Sequence, residues 1–364
     1  MVRDRGIGKS NVPATGKGVF SLAPYIFSKN PWITADTRIS YLLKTIQPVY
    51  YPVLALVAFP VNVLTIVVLS RGKCGLSKGV TRYLIAMATA DLLVVILDLV
   101  LRHITIVYWE VFIFLMNIPV CNVHAALLYA ANDCSVWFTV MFTFDRFVAI
   151  RCQNLKAKYC TGRTAAVVLG IVATLSCLKN IFWYFLLSGI YGMSNMPWFC
   201  QAKYSVMISL SWTVVEFGNF LFTPVIPFVV ILLLNVLTIR QVLVASRARK
   251  RLWSRSRGDI NKDPEMENRR KSLILLLVVS ANFIVLWMLF VVHIVWKRLV
   301  YLRRPSVGYI TGATTTPPST LSELGYMLQL LSCCTNTALY ALTQSKFRQQ
   351  MGEVVKSPFT RFLR

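Results

Sequence analysis

Seven stretches of mostly apolar residues, each long enough to cross a lipid bilayer as a helix, constrain this sequence more than any other feature. The hydrocarbon core of a bilayer is about 30 Å thick, and a helix needs about 20 apolar residues to span it. The predicted spans cover residues 48–70, 81–101, 119–145, 164–188, 207–237, 272–296 and 321–343. Backbone polar groups in lipid must be paired within their own segment, so these stretches predict an all-α membrane protein with a seven-helix bundle.

Composition and charge agree with a membrane protein. The chain of 364 residues is 56% hydrophobic and only 15% charged, which is more apolar surface than one soluble core can hide from water. The net charge of +25 comes from basic residues in short loops between the apolar stretches. A nucleic-acid-binding protein would gather them on one folded face, so the charge indicates membrane topology.

The sequence carries no pattern typical of a metal site or of a cofactor-binding enzyme. Its nine cysteines contain no C-x-x-C pair, and its three histidines contain no H-x-x-x-H pair. A Gly-rich loop that could cradle a phosphate is also missing. We therefore predict that the protein is not an enzyme, has no organic cofactor and does not bind nucleic acid.

The distribution of Lys and Arg among the loops predicts the orientation of the helices. The loops after spans one, three and five are rich in Lys and Arg, whereas the alternate loops are poorer. Short loops with excess basic charge stay on the cytoplasmic side. We expect an extracellular, largely disordered tail over residues 1–47, a seven-helix domain over 48–343 in the plasma membrane, and a cytoplasmic carboxyl terminus.

A short amphipathic helix is predicted directly after the seventh span, over residues 345–356. Phe347 and Met351 are spaced i, i+4 and share one helix face, and Lys346 and Arg348 lie beside them. This pattern suits a helix that lies in the lipid headgroup layer. Residues 357–364 then form a cytoplasmic tail.

Polar residues recur inside the predicted spans, where lipid alone would exclude them. They are Asn62 in FPVNVLTIV, Asp91 in LIAMATADLL, and Asn336 and Tyr340 in NTALY, while Asp145, Arg146 and Phe147 in FTFDRFVAI stand at the end of span three. Spans five and six also carry a proline and two aromatic residues, Pro227 in FTPVIPFVV and Phe283 and Trp287 in NFIVLWML. An unpaired carboxylate within a bilayer is costly, so Asp91 needs partners such as Ser135, Asn336 or a bound cation.

Taken together, these segments resemble the rhodopsin-like, class A family of G-protein-coupled receptors over roughly residues 48–355. The resemblance implies that an Asp145–Arg146 pair locks the resting state and that Arg146 then meets a heterotrimeric G protein. It also implies that Pro227, Phe283 and Trp287 couple a ligand to the outward swing of span six, with Tyr340 supporting the opened state. Packing alone is the alternative for the aromatic residues.

Two further sites follow from the resemblance. Asp91, with Ser135 and Asn336, would hold an allosteric sodium ion, and the alternative is a hydrogen-bonded hub without an ion. Cys121, which stands 25 residues before Arg146, would form a disulfide with Cys200 in the second extracellular loop. Two unrelated thiols are the alternative there.

Within the family, sequence segments such as YLIAMATADLL and SCCTNTALYALTQSKFRQQ most resemble the orphan branch termed probable G-protein coupled receptor 139. The founding members of that branch respond to aromatic amino acids. Several positions depart from the family pattern. Phe147 replaces a tyrosine, Leu289 and Thr337 replace prolines in spans six and seven, and Asn235 replaces a tyrosine in span five. A lost proline removes a kink, so span six should be straighter than in relatives.

The ligand site is predicted from the polar and aromatic residues of the upper bundle, which is the half of the seven-helix domain on the extracellular side. The acid and arginine that hold the ligand's ammonium and carboxylate in that branch are replaced by Leu128 and Phe290. The same mode of amino-acid binding is therefore not predicted for this protein. The predicted pocket comprises Asp98, Tyr129, Asn132, Asp133, Glu216, Asn219, Trp287, Phe290 and His293. Asp98 or Glu216 would anchor a small cationic or aromatic ligand, unless these acids are paired internally, for example with Lys179.

The sequence therefore predicts a receptor that transmits binding of a small extracellular ligand to cytoplasmic Gα subunits. Two alternatives stay open. The altered motifs are compatible with a receptor-like binding protein that does not signal. A transporter or channel would need sequence repeats and a continuous polar path, and neither is evident here.

Overall fold

The computed structural model describes residues 34–105, 108, 120–151, 159–189, 200–202, 210–253, 264–303 and 319–362. In that part of the chain, α1 covers Ala35–Ser70, α2 Lys78–Ile104, α3 Val120–Arg151 and α4 Gly162–Leu186. The fifth helix, α5, comprises Leu210–Phe220, Leu221–Val225 and Ile226–Trp253, with a kink at Thr223, whose backbone is not helical. Helices α6, α7 and α8 cover Pro264–Arg303, Ser319–Thr343 and Ser345–Phe362.

The seven predicted spans match α1 to α7 in order, which confirms the seven-helix bundle. A small antiparallel hairpin joins β1, Leu187–Gly189, to β2, Cys200–Ala202. Large apolar side chains cover the outer surface of the helices, as Leu56 at 76% and Val49 at 68% exposure illustrate. Water would not tolerate such a surface, whereas lipid matches it, so the protein crosses a membrane several times.

The seventh helix is the least apolar of the seven. Within the described residues, α1 to α6 are long and apolar enough to cross a membrane by length and composition, and α7 is not among them. Gln329, Ser332 and Thr337 of α7 are buried. Polar side chains that face neighbouring helices do not face lipid, so a central helix can carry them.

The first helix begins at Ala35 instead of residue 48, which corrects the predicted tail over residues 1–47. The side chain of Thr34 caps the helix by accepting a hydrogen bond from the Thr37 N–H at 3.2 Å. The added turns pack against α7, where Gln47 donates to Glu323 at 2.5 Å, and Tyr50 of the predicted span continues this contact by donating to the Met327 carbonyl at 2.8 Å. Hydropathy alone gives no sign of this extension, because its stabilising contacts are polar and tertiary.

Asp36, in the first turn of α1 and well ahead of the predicted span, caps the amino terminus of α7. Its carboxylate accepts from the backbone N–H of Ser319 at 3.0 Å and of Thr320 at 3.1 Å. Burial raises the pKa of Asp36, but the hydrogen bonds from Thr320 and Ser319 outweigh it and leave the pKa below 3.8. The charged carboxylate is thus the form that the fold prefers.

Replacing Asp36 by Ala should therefore lower the free energy of unfolding by about 1 kcal/mol, the usual effect of losing a capping side chain. Because the folded pKa is depressed, this stabilisation is present above the unfolded pKa of 3.8 and is lost as the pH falls through the folded value. Thermal unfolding of both proteins in detergent at pH 7 measures the effect. Equal melting temperatures would show that the cap contributes nothing.

The eighth helix packs on the end of the bundle that carries Arg146, called here the Arg146 end. Phe347 is fully buried, and its ring lies 6.1 Å from that of Tyr340 in an edge-on arrangement. Arg348 Nη1 donates to the Ala341 carbonyl at 2.7 Å, which satisfies the last turn of α7. The helix continues to Phe362, whereas the prediction ended it at residue 356.

Candidate functional site

A buried hydrogen-bonded hub joins three helices around Asp91, which is 2% exposed. Ser135 of α3 donates to Asp91 Oδ1 at 2.6 Å, and Asn336 of α7 donates to Oδ2 at 2.7 Å. The two partners proposed from the sequence therefore lie where they were expected. Carboxylate, hydroxyl and amide oxygens are hard donors that suit an alkali cation. The same geometry also fits a hub without an ion, so the sodium ion stays a prediction.

The first and seventh helices are tied together beside this hub. Asn62 Nδ2 donates to the Ala58 carbonyl at 2.9 Å and to the Cys333 carbonyl at 2.8 Å. Thr337, which stands where the family has proline, lies 2.5 Å from Thr65 between their hydroxyl oxygens. The substitution thus exchanges a kink for a side-chain contact between α1 and α7.

At the Arg146 end, the acid and the arginine of the FDRF segment form a buried ion pair. Asp145 and Arg146 are each 7% exposed, and Arg146 Nε donates to Asp145 Oδ2 at 3.0 Å, with a second, shorter bond from Nη2. Phe147 instead packs near Arg151, whose guanidinium carbon is 5.8 Å from its ring. Removing one member of a buried pair leaves an uncompensated charge, so this contact stabilises one arrangement of the helix ends.

Trp287 lies at the centre of an aromatic cluster on α6. Its ring stacks on Phe283 at 5.1 Å and meets Phe290 edge-on at 5.8 Å. Its indole N–H donates to Ser332 Oγ of α7 at 3.2 Å. Pro227 is buried in α5 just after the π-helical segment Leu221–Val225. The helix that carries the tryptophan is uninterrupted through Leu289, in line with the expected loss of a kink.

Asp98 is already paired, which corrects the expectation of an open acidic anchor. The end of α2, Val95–Ile104, is π-helical. There Asp98 Oδ1 accepts from Arg102 at 3.0 Å and lies 3.6 Å from His103, while Oδ2 accepts from Asn132 at 3.3 Å. Both carboxylate oxygens have partners, so the alternative of internal pairing describes this acid.

Asp133 is paired in the same way, with Lys179, which the sequence suggested as a partner for Asp98 or Glu216 instead. Lys179 Nζ of α4 lies 2.7 Å from Asp133 Oδ2, and Asn180 donates to the same oxygen at 2.6 Å. The ammonium also lies 5.1 Å from the ring centre of Phe222 in α5. This ion pair therefore connects three helices within the apolar part of the bundle.

The remaining pocket residues lie on α3, α5 and α6. Tyr129 stacks on Trp183 with ring centres 4.3 Å apart, and Asn132 accepts from Gln329 at 3.4 Å. Asn219 and His293 are buried, and neither Asn219 Oδ1 nor His293 Nδ1 has a hydrogen-bond partner among the described residues. The side chain of Glu216 lies outside that part of the structure. The two unpartnered atoms are the best candidates for polar contacts with a ligand.

Sequence reasoning missed Arg102 and Tyr326, which connect the upper bundle to Trp287. The guanidinium carbon of Arg102 lies 5.5 Å from the centre of the Tyr326 ring. That ring is 5.2 Å from Phe290, which in turn contacts Trp287. The i, i+4 spacing of Asp98 and Arg102 could have indicated their pairing. The contact with Tyr326 is tertiary and leaves no signal in the sequence.

Gly325 allows α6 and α7 to approach closely beside this chain of rings. A Cβ atom at this position would lie 3.0 Å from Phe290 Cα and 3.1 Å from Phe290 N. Backbone atoms cannot move aside as a flexible side chain can. Gly325→Ala should therefore force the helices apart and lower the free energy of unfolding by about 1–3 kcal/mol.

Gly170 provides the matched control, because a Cβ there meets nothing within 4 Å. Gly170→Ala should leave stability unchanged or raise it slightly, since alanine favours a helix. Thermal unfolding of the two variants in the same detergent makes the comparison. If Gly325→Ala were as stable as Gly170→Ala, the close approach of the helices would not limit the side chain.

Cys121 is disulfide-bonded and buried against α4, beside Ala125 and Trp183. Cys200 lies in β2, opposite Gly189 of β1, and its side chain lies outside the described part of the structure. Six other described cysteines are not disulfide-bonded: Cys74, Cys134, Cys160, Cys177, Cys333 and Cys334. The pairing of Cys121 with Cys200 stays a prediction.

Comparison with known proteins agrees with this arrangement. The family model for the seven-transmembrane receptors of the rhodopsin family matches residues 61–340. The chain is 22% identical over 310 residues to G-protein coupled receptor 39 of Bos taurus, covering 78% of this chain and 66% of that protein. It is 27% identical over 182 residues to the human muscarinic acetylcholine receptor M1, covering 48% of this chain and 35% of the receptor. With most of its length matched by the family model, the chain belongs to the rhodopsin family of seven-transmembrane receptors.

Proposed function

We propose that this protein is a G-protein-coupled receptor of the plasma membrane, with the Arg146 end in the cytoplasm and the amino terminus outside. In this proposal a small extracellular ligand binds at the end of the bundle that carries Cys121. Binding then moves α6 outward and opens a cavity for the carboxyl-terminal helix of a Gα subunit. Membership of a receptor family supports signalling in general. The buried contacts between α2, α6 and α7 support the proposal that α6 moves when the ligand binds.

The observation that carries the proposal is a continuous chain of contacts from the upper bundle to Trp287. Arg102 lies over Tyr326, Tyr326 contacts Phe290, and Phe290 meets Trp287, which is bonded to Ser332. A ligand that displaces one of these rings must repack the others, because packed interiors have no spare volume. Two helices, α6 and α7, would then change their contact together.

The chemistry of the ligand site follows from the residues that are already paired. Asp98 and Asp133 hold Arg102 and Lys179, so neither acid is open to a ligand amine. Asn219 and His293 offer buried polar atoms, and Tyr129 and Phe290 offer aromatic faces. We infer a small, largely aromatic ligand with hydrogen-bonding groups, and of the three acids in the predicted pocket Glu216 is the one that we propose for a cationic group.

A disulfide between Cys121 and Cys200 would close this end of the bundle. Of the nine cysteines, six are not disulfide-bonded, so Cys152 and Cys200 remain as partners for Cys121. Arg151, the residue directly before Cys152 in the sequence, ends α3 about 45 Å from Cys121 at 1.5 Å per residue. A disulfide requires Cα atoms within about 7 Å, so Cys200 is the partner that we propose.

Guanine-nucleotide exchange on Gα subunits tests the proposed function. Membranes containing the receptor would be assayed with each class of Gα, with and without a panel of amines, amino acids and short peptides. We expect exchange above that of empty membranes with at least one Gα class, and we expect Arg146→Ala to abolish it at equal surface expression. Absence of exchange throughout would favour the receptor-like protein that does not signal.

A further inference from the structure

The face of α1 that points away from the bundle carries apolar residues in a strict heptad spacing. From Ile39 to Leu56 the interval between them alternates between three and four residues. All six side chains are 44–76% exposed. They are Ile39, Leu42, Ile46, Val49, Val53 and Leu56, and we refer to them as the α1 seam.

The opposite face of α1 packs on the bundle. Ser40, Tyr51 and Leu54 are buried there, and the Tyr51 ring lies 4.7 Å from that of His103 in α2. With Ile39 at position a of a heptad, these three buried residues take positions b and f, whereas the seam takes every a and d. The receptor's own fold therefore uses one face of α1 and leaves the other as a second apolar stripe.

Part of the seam extends beyond the predicted bilayer span. Helix α1 has 36 residues and is about 54 Å long at 1.5 Å per residue, whereas the hydrocarbon core is about 30 Å thick. Ile39, Leu42 and Ile46 precede the span that starts at residue 48, and Ile39 stands about 13 Å ahead of it. Lipid satisfies an apolar stripe, but water does not, so these first residues favour burial against a partner.

The residue types of the seam indicate that this partner is a second copy of the same helix. The a positions hold Ile39, Ile46 and Val53, and the d positions hold Leu42, Val49 and Leu56. β-Branched residues at a together with leucine at d favour two parallel strands. All copies of one membrane protein insert with the same orientation, so two α1 helices in one membrane meet in parallel.

The positions that flank the seam agree with self-pairing. The e positions hold Leu43 and Tyr50, and the g positions hold Thr45 and Pro52, so no like charges oppose each other between two copies over this stretch. Pro48 and Pro52 remove backbone N–H donors, but they lie at c and g, beside the seam. A partner chosen by opposite charge would require charged residues at these flanking positions.

We propose that two copies of this chain associate through the α1 seam as a parallel two-stranded coiled coil, whose first turns lie outside the hydrocarbon core. The seam faces away from the bundle, so the paired helices keep their contacts with α2 and α7. Pairing needs neither a ligand nor a G protein. The proposal therefore stands or falls separately from the signalling function.

Cysteine cross-linking of the full-length protein in membranes tests the pairing. Leu42 at d would face Leu42 of the second copy, within the Cα separation of about 7 Å that a disulfide allows. Lys44 at f is also exposed but lies on another face of the helix. After oxidation with copper phenanthroline, Leu42→Cys should give at least about fivefold more covalent dimer than Lys44→Cys or the unaltered protein.

A triple variant measures how much the seam contributes. Copies fused to donor and acceptor fluorescent proteins would be diluted in phospholipid vesicles, and energy transfer would report the dimer. Ile39→Ala, Leu42→Ala, Ile46→Ala should weaken association about 10-fold or more, because each buried CH₂ group contributes about fourfold to an equilibrium constant.

A control variant removes similar side chains from another outer surface of the bundle. Ile171, Leu175 and Leu178 of α4 are 53–60% exposed, and replacing all three by Ala should leave association within about twofold. Equal cross-linking of Leu42→Cys and Lys44→Cys, or equal association of the two triple variants, would overturn the proposal. A cross-linked product that contains a protein other than this chain would overturn it as well.

Discussion

Replacing Lys179 by Met is expected to destabilise the protein by about 3–5 kcal/mol, the cost of leaving one member of a buried ion pair without its partner. Asp133 is 3% exposed, and Lys179 lies 2.7 Å from it across the α3–α4 contact. Asn180 would still donate to the carboxylate, but an amide brings no charge. Thermal unfolding in detergent measures the loss, and the decrease should exceed those of Asp36→Ala and Gly325→Ala.

The double variant Lys179→Met, Asp133→Asn separates the charge from the packing. It contains neither the cation nor the anion, so most of the lost stability should return. Asp133→Asn alone should leave Lys179 over the Phe222 ring and be less harmful, because the lysine side chain is 23% exposed. If the double variant were as unstable as Lys179→Met, packing of the lysine stem would explain the effect and the buried charge would not.

Replacing Asp145 by Asn is expected to raise basal nucleotide exchange by about 10-fold or more. Hydrogen bonds to charged groups contribute about 1.5–3 kcal/mol each, and 1.4 kcal/mol corresponds to a factor of ten in an equilibrium. Arg146 makes two such bonds to Asp145, and an asparagine would weaken both. The resting arrangement would lose this stabilisation, and the population would shift toward the opened state.

Arg146→Ala gives the opposite result in the same assay. It removes the group that would meet the Gα helix, so exchange should fall to that of empty membranes whether or not Asp145 is replaced. Surface expression of each variant must be matched before the rates are compared. Unchanged basal exchange in Asp145→Asn would show that the ion pair does not hold the resting state.

The helices could be predicted from the sequence because their signal is local. All seven spans are predicted from their apolar length, the third and seventh more weakly because they contain polar residues such as Asp133 and Asn336. The start of α1 could not be found in this way. Its first turns are stabilised by Asp36 and Gln47, which contact residues of α7 nearly three hundred positions away.

The polar hub and the ligand region differ in how many of their contacts can be predicted from the sequence. Asp91 with Ser135 and Asn336 was predicted, because an isolated carboxylate in a bilayer demands partners and few were available. Asp98 is predicted as an anchor, although the i, i+4 spacing of Asp98 and Arg102 already offers a pairing within the helix. The chain of contacts from Arg102 through Tyr326 and Phe290 to Trp287 depends on packing between α2, α6 and α7, and the sequence alone does not show it.

The altered positions change the contacts that an opening movement must break. Thr337 bonds to Thr65, and α6 runs without interruption past Leu289. In the proposed opening, an uninterrupted α6 would move more nearly as a rigid rod. Such a movement would break its contact with α7 around Gly325 and Phe290 in one step and so link the ligand region directly to the Arg146 end.

The distance between spin labels on α3 and α6 tests this outward movement most directly. Arg151 of α3 and Ile274 of α6 are exposed near the Arg146 end and can carry the labels. We predict that binding of a nucleotide-free Gα subunit increases this distance by several ångströms, and that Arg146→Ala prevents the increase. An unchanged distance distribution in the presence of bound Gα would contradict the proposal that α6 opens the receptor.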